Sequence, residues 1–124
     1  MTSIVLPWPA KPLSPNYRSG SHWPKTRAVK AARKLACGEA MAAGWHRLTL
    51  GDGPINLRVT FHPPDARARD RDNMIASTKA MHDGLSDALG VDDARFHPEY
   101  RFAEPKKPGC VVVEVLRPPL GVCA

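Results

Sequence analysis

Prolines and glycines divide this chain into segments whose lengths limit the elements that it can form. Short apolar or β-branched runs bounded by such turn signals predict four strands. The predicted strands are residues 3–8, 55–62, 95–103 and 110–116. Two longer stretches, from about residue 25 to 45 and from about 72 to Gly90, have apolar residues at helical spacing. The order β-α-β-α-β-β predicts one α+β domain over residues 1–124, with a mixed sheet and two helices.

The first predicted helix carries two adjoining stripes of side chains. Five apolar residues at i, i+3, i+7, i+14 and i+17 predict its buried face. They are Ala28, Ala31, Leu35, Ala42 and Trp45. The second stripe is basic and consists of Arg27, Lys30 and Lys34. It is either a solvated surface or a set of contacts with phosphate groups, and the helix alone supports both interpretations.

The second predicted helix begins at Asp72 or Asn73, which are both good N-cap residues, and ends at Gly90. Helical spacing again predicts its buried face. The residues of that face are Met74, Thr78, Met81, Leu85 and Ala88. Residues 65–71 are rich in arginine and should form a loop, since two consecutive prolines end the preceding strand.

The charge of the chain indicates the chemistry of its partner. A formal net charge of +6 and a pI near 9.6 favour an anionic partner, with nucleic acid first and an anionic membrane second. No apolar run approaches the roughly 20 residues that span a bilayer, and the N-terminus lacks the pattern of a signal peptide. Three unclustered cysteines predict neither a disulfide framework nor a zinc site. We therefore expect a cytoplasmic protein with free thiols and no membrane association.

Acidic residues are concentrated in one part of this basic chain. Seven of the twelve carboxylates lie between Asp65 and Asp93, including the tight pair Asp70 and Asp72. In an extended segment, residues two apart project from the same side, and Asp93 could approach them after the helix and its reversal. Carboxylates that meet repel one another unless a cation lies between them, and all-oxygen ligation favours Mg²⁺ or Mn²⁺. This combination predicts a metal-dependent nuclease.

The same acids have simpler interpretations. Asp72 or Asn73 would serve as a helix cap, and Asp92 and Asp93 as turn residues after the second helix. The sequence does not show which of two adjacent acids would bind a metal, so Asp92 is an alternative to Asp93 as a ligand. No serine, cysteine or histidine lies in a recognisable nucleophile motif, and no glycine-rich phosphate loop is present.

Lys79 is the cation most closely associated with the acids. It follows Asp72 by about two turns of the predicted helix, so both residues should lie on one face. There it would stabilise charge on a phosphate or offset the carboxylates. The alternative is a surface lysine that pairs with Asp83 at i+4.

These residues together resemble the RusA-type Holliday junction resolvases, small dimeric endonucleases of bacteria and their phages. The resemblance spans nearly the whole chain and includes the run Leu-Pro-Trp-Pro at residues 6–9 and His-Pro-Pro-Asp at 62–65. It also includes a loop with Asn16, Arg18, His22 and Trp23. The most specific part is the series Asp70, Asp72, Asn73, Lys79, Asp83, Gly84, Leu85, Asp92, Asp93 and Ala94. Some members place the lysine one turn earlier, where this chain has Ala76.

The resemblance implies a homodimer that cuts four-way DNA junctions by paired symmetric nicks. It implies Asp70, Asp72 and Asp93 as ligands of Mg²⁺ and Lys79 as the fourth catalytic residue. Contacts with the DNA backbone would come from two basic groups. These are Arg67, Arg69 and Arg71 in the loop, and Arg27, Lys30 and Lys34 on the first helix.

Two other functions remain open from the sequence. The chain could be a metal-dependent nuclease that acts on flaps or other branched DNA. It could also be a basic DNA-binding module without activity, in which the acids only cap helices and form turns.

Overall fold

The computed structural model describes residues 2–15, 17, 20 and 23–116 of the chain. It contains four strands: β1 at Thr2–Pro7, β2 at Ile55–His62, β3 at Phe96–Phe102 and β4 at Cys110–Leu116. Three α-helices are described: α1 at Trp23–Ala42, α2 at Arg71–Ala76 and α3 at Lys79–Leu89. Single 3₁₀ turns lie at Lys11–Leu13, Trp45–Arg47 and Asp93–Arg95. Asn16, Arg18 and His22, which contribute to the family resemblance, lie outside the described residues, as does Cys123.

The strands form one mixed sheet with the order β1-β4-β2-β3. Strand β4 is antiparallel to both of its neighbours, whereas β2 and β3 are parallel. Parallel neighbours require a crossover, and α2 and α3 supply it. The predicted small α+β domain with a mixed sheet is therefore confirmed.

The helices cover one face of the sheet, and the core lies between the two layers. Alternate residues of β2, namely Ile55, Leu57, Val59 and Phe61, are buried, as expected for a strand with one covered face. Trp45 and Phe61 are the largest fully buried side chains. Among the described residues, no helix is both long and apolar enough to cross a membrane.

The prediction of the buried face of α1 is wrong, because the buried residues lie on a different side of the helix. Ala36 and Ala40 are buried, whereas Leu35 and Ala42 are exposed, and Trp45 is buried in the turn after the helix. The small residues allow α1 to approach α3 closely, where Gly84 lies against it. Ala28, Ala31 and Leu35 instead line an apolar groove of about 310 Å³ beside β1.

The second predicted helix starts earlier than expected and is broken in two. Its N-cap is Asp70, not Asp72 or Asn73. At the break, the hydroxyls of Ser77 and Thr78 donate to the carbonyls of Met74 and Ile75, at 2.6 and 2.7 Å. Hydroxyls bonded in this way compete with the regular helical hydrogen bonds. Helix α3 begins at Lys79 and ends at Leu89, and the C-cap Gly90 has the predicted left-handed conformation with φ 68°.

The predicted buried face of this region holds across the break. Thr78, Met81, Leu85 and Ala88 are buried, and Met74 within α2 is half-buried. The apolar spacing therefore identified the side that faces the sheet, although the backbone is not one continuous helix.

Candidate functional site

The arginine-rich loop before α2 is held by Asp65. A carboxylate oxygen of Asp65 accepts the backbone N–H of Arg67 at 3.0 Å and lies 2.9 Å from Arg69. The hydrogen bond from the Arg67 backbone, followed by that from Arg69, lowers the pKa of Asp65 below its usual range. The loop is thus ordered by charge-assisted hydrogen bonds within itself.

The two arginines of this loop have different surroundings. Arg69 donates to the carbonyls of Asp65 and Arg67 at 3.1 and 3.0 Å, and its guanidinium lies 5.5 Å from the centre of the Trp8 ring. Its side chain is only 16% exposed, whereas that of Arg67 is 76% exposed. Arg69 therefore stabilises the loop, whereas the guanidinium of Arg67 lies 3.6 Å from Asp65 but is exposed enough to meet an external anion.

Asp70 joins this loop to α2. Its Oδ1 accepts the backbone N–H of Asn73 at 3.2 Å, which makes it the N-cap of the helix. Asp70 also lines a cleft of about 380 Å³ between the end of β1 and α2, with Lys11 and Arg67 among the other lining residues. A capping carboxylate keeps a second oxygen that can accept from a ligand or bind a cation.

Asp72 lies on a different side of α2 from that cleft. It is an exposed residue in the first turn of the helix, so the expectation that Asp70 and Asp72 share an extended segment is wrong. Ile75 and Ala76 follow Asp72 at i+3 and i+4, and these positions share one helical face. Both residues line a second cavity, so Asp72 lies on the face of α2 that leads to it.

This second cavity, which we call the aromatic cleft, lies between α2, α3 and β3. It has a volume of about 320 Å³, and its walls include Ala76, Lys79, His82, Asp93, Pro98 and Tyr100. It brings together residues from both sides of the helix break and from the chain after α3. The aromatic cleft is therefore where the tertiary structure gathers several of the candidate residues.

Lys79 and Asp93 meet at this cleft. The Nζ atom of Lys79 lies 3.8 Å from Oδ2 of Asp93 and 3.7 Å from Oδ1 of Asp83. Lys79 therefore forms the predicted i+4 pair with Asp83 and also approaches the candidate acid Asp93, whereas its action on a phosphate stays a prediction. The argument from two turns of one continuous helix is wrong, because the break makes Lys79 the first residue of α3.

The two adjacent acids after α3 have separate roles in the structure. Asp92 caps the following 3₁₀ turn, and its Oδ1 accepts the backbone N–H of Ala94 at 2.8 Å. Asp93 is the one that pairs with Lys79 and lines the aromatic cleft. Arg95 anchors this turn by donating to the carbonyls of Gly51 and Gly53. The geometry therefore favours Asp93 over Asp92 as a site residue.

His82 is a residue of the cleft that sequence reasoning missed. Its Nε2 is buried and has no hydrogen-bond partner among the described residues. Burial lowers the pKa of His82, so the neutral imidazole is favoured. Its ring stacks on Tyr100, with the centroids 6.2 Å apart and an angle of 26° between the planes. Its position three residues after Lys79 was the available signal, because i and i+3 share a helical face.

The candidate metal ligands do not form a ready-made metal centre. Within the described residues, which include all seven acids from Asp65 to Asp93, no three His, Cys, Asp or Glu side chains group closely enough to hold a metal ion. One oxygen of Asp70 is engaged as a helix cap, and Asp93 is paired with Lys79. The donor chemistry of Asp70, Asp72 and Asp93 nevertheless suits a hard divalent cation, since all three offer carboxylate oxygens.

The remaining candidate DNA contacts lie at the surface. The guanidinium of Arg71 lies over the ring of Phe102, with its Cζ 4.6 Å from the ring centroid. The basic stripe of α1, which consists of Arg27, Lys30 and Lys34, is exposed. By helical rotation it lies opposite the buried Ala36 and Ala40, so it faces away from the sheet.

Comparison with known proteins adds one homologue. No protein-family model matches the chain. An uncharacterized protein of Xylella fastidiosa (strain Temecula1) is 48% identical over 102 residues. The match covers 79% of this chain and 65% of that protein, so the chain spans just under two thirds of the relative's length. The similarity indicates homology over this region and carries no information about a reaction.

Proposed function

We propose that this protein is a Mg²⁺-dependent endonuclease that resolves four-way DNA junctions. In this proposal it acts as a cytoplasmic homodimer of bacterial or phage origin, in DNA recombination and repair. The observation that carries the proposal is the contact between Lys79 and Asp93 at 3.8 Å, beside the face of α2 that bears Asp72. A cation and carboxylates beside one cleft, in a chain of net charge +6, suit a phosphodiester substrate.

The acids would hold the metal, and the lysine would act on the phosphate. Asp72 and Asp93 would supply carboxylate ligands, and Asp70 would contribute its second oxygen from the helix cap. Because these three side chains are not grouped in the described structure, they would have to rearrange around the cation. Mg²⁺ or Mn²⁺, when bound, would acidify a water molecule and neutralise phosphate charge. The ammonium group of Lys79 would stabilise the negative charge that develops on the phosphate oxygens. Its Nζ atom lies 3.7 Å from Asp83 and 3.8 Å from Asp93, so the ammonium group is directed towards these carboxylates.

The basic surface would position the DNA. Arg67, Arg71 and the stripe of Arg27, Lys30 and Lys34 are exposed and would contact backbone phosphates. Arg69 would act indirectly, by keeping the loop that carries Arg67 ordered. Two active sites related by a twofold axis would produce symmetric nicks in opposite strands of the junction.

A substrate panel with a matched inactive variant tests this function. The full chain is incubated with a four-way junction, a flap and a linear duplex, each with Mg²⁺ or with EDTA. The companion proteins are Asp72→Asn and, as a control for loss of an exposed acid, Asp52→Asn in the turn before β2. We expect symmetric nicks in the junction alone, only with Mg²⁺, from the wild type and the Asp52→Asn control.

Two other results would replace the proposal. Faster cleavage of the flap would identify a nuclease for other branched DNA. Tight binding without cleavage of any substrate would identify a DNA-binding module in which Asp70 and Asp92 serve only as the caps that they form.

A further inference from the structure

The aromatic cleft has flat walls in addition to its charged pair. Phe96, Pro98 and Tyr100 alternate along β3, so their side chains lie on the same face of the strand. Ile75 and Ala76 of α2 form the opposing apolar wall. Strand β3 is at the edge of the described sheet, which leaves the cleft accessible from that side. A cavity of about 320 Å³ lies at the lower end of the range for small-ligand sites.

The aromatic cleft has few polar side chains, and they differ in their exposure to solvent. His82 is half-buried, and its Nε2 has no partner among the described residues. Lys79 and Asp93 are more exposed, with side chains 76% and 43% accessible. A ligand that fits this arrangement is flat, has a hydrogen-bonding edge for the imidazole, and is attached to an anionic group for the lysine.

We propose that the aromatic cleft binds one unpaired nucleobase of the branched DNA, next to the phosphate on which Lys79 acts. This inference rests on the proposed function and extends it to a base-binding subsite. The base would stack against Tyr100 and Pro98, and its edge would hydrogen-bond to His82. Proteins commonly bind unstacked bases on aromatic side chains, with selectivity from hydrogen bonds to the base edge.

Abasic substitution separates this subsite from the backbone contacts. A four-way junction carries one abasic nucleotide, placed in turn at each position flanking the branch point, and affinity is measured in EDTA. We expect one position to weaken binding of the wild type by about 5- to 100-fold, the usual effect of losing one stacked base. Tyr100→Leu should weaken binding of the intact junction similarly and make that position insensitive to base removal.

Two further variants refine the test. His82→Phe keeps a ring but lacks the imidazole nitrogens, so it should bind the four bases at that position with equal affinity. His97→Ala is the matched control, because His97 is exposed on the opposite face of β3. It should behave as the wild type does with every junction. Thermal melts of each variant confirm that it is folded.

A second comparison distinguishes failure of this inference from failure of the proposed function. A single-stranded decamer of thymidine is compared with a decamer of abasic nucleotides that has the same phosphates. Base-dependent binding that Tyr100→Leu abolishes would support the subsite, even if no junction is cut. Cleavage of junctions with no base dependence in either experiment would overturn the subsite and leave the nuclease in place. Absence of both effects would overturn both proposals.

Discussion

The Nζ atom of Lys79 lies 3.8 Å from Oδ2 of Asp93, although Lys79 begins α3 and Asp93 lies in the 3₁₀ turn after this helix. The helix break before Lys79 makes it the first residue of α3. The left-handed Gly90 then reverses the chain, and Ser86 bonds the Val91 carbonyl, which holds the returning segment beside the helix. A local backbone feature at each end of α3 therefore produces the contact.

Replacing Lys79 tests whether this lysine contributes to catalysis or is only a surface charge. Lys79→Ala should lower the rate of junction cleavage by roughly 10²-fold or more, because a charge that stabilises the transition state is lost. The melting temperature should hardly change, since exposed ion pairs contribute little to stability. Lys106→Ala, in the turn before β4, controls for the loss of a surface lysine. Full activity of Lys79→Ala would show that the lysine is only a solvated charge.

Moving the lysine back by one turn provides a rescue experiment. Ala76 lines the same cleft as Lys79, and the resemblance to RusA-type resolvases places the lysine of some members at this position. Ala76→Lys in the Lys79→Ala background should therefore restore part of the cleavage rate. No recovery, in a variant that still binds junctions, would mean that position 76 does not reach the reacting phosphate.

Replacing the acids should separate cleavage from binding. Asp72→Asn should abolish Mg²⁺-dependent cleavage and keep or raise junction affinity, because one negative charge near phosphate is removed. Asp70→Asn should have the same effect with an intact fold, since asparagine is as good an N-cap as aspartate. Gel shifts in EDTA and nicking assays in Mg²⁺ measure the two properties. Near wild-type cleavage by either variant would remove that acid from the metal site.

The two loop arginines should differ in their effect on salt dependence. Arg67→Gln should reduce the slope of log affinity against log salt by about 0.9, the loss of one phosphate contact. Arg69→Gln should instead lower the melting temperature, because its guanidinium bonds the loop carbonyls. Anisotropy titrations at several salt concentrations and thermal melts compare them. Equal slopes for Arg67→Gln and the wild type would contradict a phosphate contact.

Gly84 should tolerate no larger side chain. A Cβ atom there would lie 2.2 Å from the Arg33 carbonyl oxygen and 2.9 Å from the Ala36 Cβ. Gly84→Ala should therefore destabilise the fold by about 1–3 kcal/mol or more, because α1 and α3 must separate. Gly38→Ala in α1 has open space around the added methyl and should stabilise by about 0.5–1 kcal/mol. Urea denaturation of both variants tests the contrast.

His82 should make stability depend on pH below neutrality. Burial lowers the pKa of His82 in the folded protein, so the unfolded chain takes up this proton first as the pH falls. The contribution of His82 is fully present above the unfolded value of about 6.5 and is lost as pH decreases from there towards the folded pKa. His82→Gln should therefore flatten this part of the stability profile, measured by denaturation in EDTA. An unchanged profile in His82→Gln would contradict this contribution of His82.

The structural features that depend on local sequence patterns were predicted correctly from the sequence. The four strands, the single α+β domain and the reversal at Gly90 follow from turn residues and from periods of two and 3.6. The buried side of α3 also follows, because Met81, Leu85 and Ala88 share one helical face. These features depend on residues close in sequence, so spacing alone carries the information.

Contacts between distant elements were decided only by the tertiary structure. Spacing selected the wrong stripe of α1, because Ala36 and Ala40 are buried by the close approach of α3 at Gly84. Spacing also did not show which of Asp92 and Asp93 approaches Lys79, and it missed both the helix break and the half-buried His82. Burial and ion pairing depend on residues that are distant in the sequence, so they are defined only once the elements that carry these residues have packed together. The sequence by itself therefore determined the elements and the candidate residues, and packing of α2 and α3 against the sheet decided which of those residues meet.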